Sequence, residues 1–104
     1  MEGIELISFQ IISNVGTAKS MYIQAIQKAK NNDFEEAERL MQEGTEVFGE
    51  GHKAHGSLIR QEASGNLVDF SLLLMHAEDQ LMTAETFKIV AQEFIDLYRQ
   101  INSK

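Results

Sequence analysis

The sequence predicts an all-α fold, an antiparallel three-helix bundle running up, down and up, and three observations carry that expectation. The 104 residues include no proline, so no residue is bound to interrupt a helix. Apolar residues recur at steps of three and four through nearly the whole length. Two stretches break the pattern, Asn31-Asn32-Asp33 and Ala63-Ser64-Gly65-Asn66, leaving three long segments joined by short loops.

The first helix is expected over residues 4–30. Ile4, Ile7, Ile11, Val15, Ala18, Tyr22, Ala25 and Ala29 form one stripe, and Lys28 and Lys30 suit a helix C-terminus. Asp33 then stands as N-cap of a second helix over 34–62, with Glu36 completing a variant of the capping box. Its stripe is Phe34, Ala37, Met41, Gly44, Phe48, Gly51, His55 and Leu58. Each of Gly44, Gly49, Gly51 and Gly56 costs about 1 kcal/mol relative to alanine inside a helix. Either the helix breaks near Gly49-Glu50-Gly51, or a neighbouring helix passes too close for a side chain. A continuous helix with close neighbours is the expectation. The third helix is expected over 67–102, with Asn66 as N-cap and Asp69 at the third helical position.

That third helix carries more apolar surface than one bundle can cover. One stripe is Phe70, Leu73, Ala77, Gln80, Ala84, Phe87, Ala91, Phe94, Tyr98 and Ile101. A second is Leu72, Met75, Asp79, Met82, Thr86 and Ile89, and the two are centred about 140° apart on the helix. One can face the chain's own helices; the other implies a helix-mediated homo-oligomer. Asp79 sits in the middle of the second stripe, where copies meeting at a symmetry axis would need a cation or shared protons. His76 lies between the stripes, about 60° from Asp79, and so opens at the line where another subunit would pack.

Composition removes several function classes. With no cysteine there is no disulfide framework, thiolate nucleophile or Cys-based metal site. A formal charge of −7 argues against nucleic acid and anionic membranes. The acidic start Met1-Glu2-Gly3-Ile4-Glu5 lacks the basic region of a signal peptide, and no apolar run is long enough to span a bilayer. The expectation is one soluble cytoplasmic domain over 1–104. His52 and His55, three apart, have no third ligand of their own to make a transition-metal site. Nor do Glu-x-x-His pairs occur as a helical-bundle carboxylate metalloenzyme would need.

The segment Leu74-Met75-His76-Ala77-Glu78-Asp79-Gln80-Leu81-Met82-Thr83 resembles the phosphorylation-site segment of the lactose/cellobiose-type IIA components. These belong to the bacterial phosphoenolpyruvate-dependent sugar phosphotransferase system. The likeness covers most of the chain. Gly16-Thr17-Ala18-Lys19-Ser20 resembles the family's Gly-x-Ala-Arg-Ser segment, and Ala29-Lys30 with Asp33-Phe34 and Ala37 resembles its turn into the second helix. His52, Leu58-Ile59 and Glu62-Ala63-Ser64-Gly65 are similar to the end of that helix.

The resemblance implies a homotrimer of three-helix subunits, with His76 taking a phosphoryl group on its tele nitrogen from the phosphocarrier HPr. The group would pass to a cysteine of a IIB component, serving uptake of a lactose-, cellobiose- or chitobiose-type disaccharide through the membrane IIC component. It also implies one Mg²⁺ per trimer, shared by the Asp79 side chains, and a cleft supported by His52, Glu78 and Gln80. The sequence departs from the family pattern at the site. Glu78 stands where Gln is usual, Gln80 where His is usual, and His55-Gly56 replace Gln-Thr. A reading of a different class is a structural or regulatory helical oligomer in which His76 is inert.

Overall fold

The computed structural model describes residues 3–103, which form three helices: α1 (Gly3–Lys30), α2 (Phe34–Ala63) and α3 (Leu72–Asn102). Together they make a rod 56 × 23 × 20 Å. Helix α1 is the central member, packing along both α2 and α3, whereas α2 and α3 meet at few positions. The expected stripe of α1 is its buried face, with Ile11, Val15, Ala18, Tyr22, Ala25 and Ala29 essentially sealed from solvent. Ser8 joins them with its hydroxyl buried and unpaired.

Helix α2 opens as its sequence signals: the Asp33 carboxylate accepts the Glu36 N–H at 3.3 Å. It then runs unbroken through its glycines. Two of these exist for close approach. A Cβ on Gly44 would lie 2.8 Å from Cε1 of Tyr22, and one on Gly51 would lie 2.8 Å from Cγ1 of Val15. Side chains there would force α1 and α2 apart, so the loss of helix propensity is offset by the contact that glycine permits. Tyr22 fills this seam, its hydroxyl 3.3 Å from Oγ1 of Thr45, and burial raises its pKa. Gly49 has no neighbour at that range and no packing reason of this kind.

The third helix begins five residues later than the sequence suggests, at Leu72 instead of Leu67. Asn66 is not its N-cap. The Asn66 N–H returns to the Gln61 carbonyl at 3.1 Å and that of Gly65, at φ +95°, returns to Glu62, so both residues are still closing α2. Residues 67–71 then cross the end of the bundle outside any helix. The true N-cap is Ser71, extended at φ −147°, ψ 158°, whose hydroxyl accepts the Leu74 N–H at 3.0 Å.

The inward face of α3 also differs from the expected stripe. Leu74, Ala77, Leu81, Ala84, Ala91 and Ile95 are buried, while Phe94 and Ile101, assigned to that stripe, are exposed. So is Phe70, which precedes the helix. The buried residues keep the same alternation of three and four, but their face is turned about 50° from the expected one: Ala77, Ala84 and Ala91 are common to both, and Leu74, Leu81 and Ile95 take the inward places expected of Leu73, Gln80 and Phe94.

Candidate functional site

Helix α3 turns a long apolar face away from its own bundle. Met75 (47% exposed), Met82 (61%) and Ile89 (64%) lie along it, continued towards the C-terminus by Val90, Phe94 and Leu97. Asp79 sits on this face and lines a shallow groove with Met82, Thr83, Thr86, Phe87 and Val90. Isolated exposed apolar residues need no explanation, but a strip running most of a helix does.

His76 stands on the flank of that strip, exposed to solvent. The corrected helix start bears directly on it. Counted from Ser71, His76 opens the second turn of α3; a start at Leu67 would have put it well inside the helix. The first turn of α3 carries no carboxylate, whereas that of α2 holds Glu35 and Glu36. The positive end of the helix dipole is therefore not neutralised by acidic side chains in its own first turn, which favours an anion close by. An exposed imidazole at such a place can act as nucleophile towards an electrophilic phosphorus and then carry the negative group.

The two carboxylates after His76 diverge. Asp79, three residues on, shares the imidazole's side of the helix. Glu78, two residues on, points to the opposite flank. There its Oε1 lies 2.6 Å from Nε2 of His55 on α2, a contact that sequence reasoning missed. The signal for it was in the sequence: both residues stand where the resemblance would put a glutamine. Beside the pair, Leu58, Ile59, Val68, Leu74 and Met75, with Glu62 and Glu78, line a cleft of about 350 Å³.

Gln80, four residues beyond His76, lies on the same side of α3, whereas His52 stands on another helix. His52 is exposed on α2, its ring stacked on Phe48 with centroids 6.3 Å apart. Gln80 is half-buried on α3. Among the described residues no three His, Asp or Glu side chains of a single chain converge to hold a metal. No described helix is long and apolar enough to cross a membrane.

Comparison with known proteins gives these features a context. Residues 6–99 match the family described as "PTS system, Lactose/Cellobiose specific IIA subunit". The lichenan-specific phosphotransferase enzyme IIA component of Bacillus subtilis is 40% identical over 103 residues, covering 99% of this chain and 94% of the relative. The crystal structure of the cellobiose-specific enzyme IIA from Bacillus anthracis is 41% identical with a TM-score of 0.95, covering 100% of this chain and 96% of that one. The chitobiose IIA of Escherichia coli, solved in complex with HPr, is 29% identical with a TM-score of 0.85, covering 98% and 99%. With the match running through all three helices and the His76 segment, the chain belongs to the lactose/cellobiose-specific IIA family of the sugar phosphotransferase system.

Proposed function

We propose that the chain is a phosphocarrier that accepts a phosphoryl group from HPr on His76 and delivers it to a cysteine of a IIB component. The uptake it serves is that of a disaccharide of the lactose, cellobiose or chitobiose type. The observation that carries this reading is the exposed His76 at the start of the second turn of α3, beyond a first turn free of carboxylates. HPr as donor is supported by the complex formed by the Escherichia coli chitobiose IIA, which shares this fold.

The chemistry asks little of the protein beyond placement. The lone pair of the tele nitrogen attacks phosphorus as the donor's bond to phosphorus breaks, and the proton on the other ring nitrogen can leave to water. Delivery reverses the roles: a IIB thiolate attacks, and the imidazole is the leaving group. Alignment and compensation of charge are the main requirements of phosphoryl transfer. The helix terminus supplies part of that compensation, and basic groups of the partners would suit the acidic surface of a chain with net charge −7.

The same reading includes a homotrimer that covers the outward face of α3. Asp79 is the one carboxylate among Leu72, Met75, Met82, Thr86 and Ile89 on that strip. One chain cannot hold a cation with it, but three copies would offer three hard oxygen donors, a set that suits Mg²⁺ with water completing the shell. A bound ion would supply positive charge against the mutual repulsion of those carboxylates. Sedimentation of the native protein is expected to give three times the chain mass in Mg²⁺ and a weaker assembly in EDTA. A monomer under both conditions rules out this part of the proposal.

The test of the carrier itself combines the protein with phosphoenolpyruvate, enzyme I and HPr. The expected result is an acid-labile phosphoryl adduct on the native chain that His76→Ala abolishes while its helical content is retained. An adduct that survives the substitution, or a native chain that takes none, refutes the assignment.

A further inference from the structure

Glu78 poses a problem for any phosphoryl acceptor at His76, because it adds a negative charge two residues away. The fold answers it with a partner from another helix. Residues two apart on a helix point to nearly opposite flanks, so Glu78 starts out turned away from His76. A glutamate side chain has three rotatable bonds, however, and at 38% exposure it is free to swing back towards solvent and the acceptor. His55 removes that freedom. Its ring is only 17% exposed, carried on α2, and its Nε2 meets the carboxylate at 2.6 Å, within hydrogen-bond reach. The link also crosses between two helices that otherwise touch little.

We infer that His55 is a positioning residue that holds the Glu78 carboxylate on the α2 side of α3 and so shields the phosphoryl group on His76 from its charge. This inference rests on the phosphocarrier reading and adds to it a specific dependence of one departure from the family pattern on the other. A glutamate at position 78 is compatible with transfer because a histidine stands at position 55. The other carboxylate of the adjoining cleft, Glu62, is engaged elsewhere, accepting the Val68 N–H at 3.4 Å. His55 is therefore given to Glu78.

The experiment follows the rate of phosphorylation of the full chain by phosphoenolpyruvate, enzyme I and HPr. It compares the native protein, His55→Ala and the double variant His55→Ala/Glu78→Gln at about 20 mM and about 500 mM salt. Bringing the carboxylate a few ångströms nearer a dianionic phosphoryl group should slow acceptance by roughly two-fold at low salt. The double variant should recover most of that loss, and the deficit of the single variant should shrink at high salt. A merely structural role for His55 predicts neither the recovery nor the salt dependence. If His55→Ala accepts as fast as the native chain, or the double variant stays as slow as the single one, the inference falls and the phosphocarrier reading stands. If the native chain takes no phosphoryl group, both fall. His55→Phe fills the ring's space without offering a donor and repeats the comparison should His55→Ala unfold.

Discussion

Along its α1 side, helix α2 presents Gly44 to the ring of Tyr22 and Gly51 to Val15. Along its α3 side it presents Phe34 and Glu38 to Arg99, and His55 to Glu78. The first seam is mainly apolar and, at its two glycines, too tight for a methyl group. The second is a set of separate polar links between side chains that are largely exposed. Dispersion and hydrophobic burial act over the whole of the first seam and fix the distance between helices. Exposed ion pairs contribute about 0–1 kcal/mol each, so the second seam adds little stability. What it can set is orientation, and the link nearest His76 is the one whose partner is best buried.

The largest expected effect comes from breaking the tight seam. Gly44→Leu should lower the melting temperature by roughly 10 °C or more, because the ring it would strike belongs to a fully buried tyrosine. Gly49→Ala, on the same helix with open space around it, should instead gain about 0.5–1 kcal/mol. Circular-dichroism melts of the two variants test whether close approach, and not glycine content, explains α2. Equal losses would remove the distinction.

Alkali should probe the same seam from the other helix. The pKa of Tyr22 is raised in the folded protein by burial, so its contribution is fully present below the ordinary tyrosine value. It is lost as pH rises towards and through the raised value, because only the unfolded chain ionises easily there. Denaturant midpoints should therefore fall above about pH 10, and Tyr22→Phe should flatten that part of the profile. A midpoint equally alkali-sensitive in Tyr22→Phe would place the effect elsewhere.

The smallest effect belongs to the polar seam. Arg99 donates to Glu38 at 3.0 Å and lies over the Phe34 ring at 4.7 Å, yet Arg99→Ala should cost only about 0.5–1.5 kcal/mol. A loss rivalling that of Gly44→Leu would show that the two seams do not differ as their chemistry suggests.

Much of this arrangement was readable from residue order. The stripes of α1 and α2 are local periodicities, and the N-cap of α2, Asp33, stands at the helix end itself. The start of α3 was harder, because two sets of capping residues compete between positions 64 and 71. Asn66 resembles an N-cap, but its N–H is consumed in ending α2, a fact that depends on where the preceding helix stops. Leu74, Leu81 and Ile95 were missed because Leu73, Gln80 and Phe94 beside them also continue the steps from Ala77, Ala84 and Ala91, and spacing alone does not choose between the two faces. Ser8 shows a related limit, since a polar residue at a core position breaks the apolar pattern without leaving the core. At the site, spacing on one helix is enough to put His76 and Asp79 on the same side of α3. The His55–Glu78 contact joins residues 23 apart in sequence, and no periodicity reports a meeting of two helices.

The outward strip of α3 has a consequence for how the molecule responds to dilution. A fold sealed within one chain melts at a temperature that does not depend on how much protein is present. Covering Met82 and Ile89 with other copies would instead add a term that grows with the logarithm of concentration. The melting temperature would then climb as the protein is concentrated.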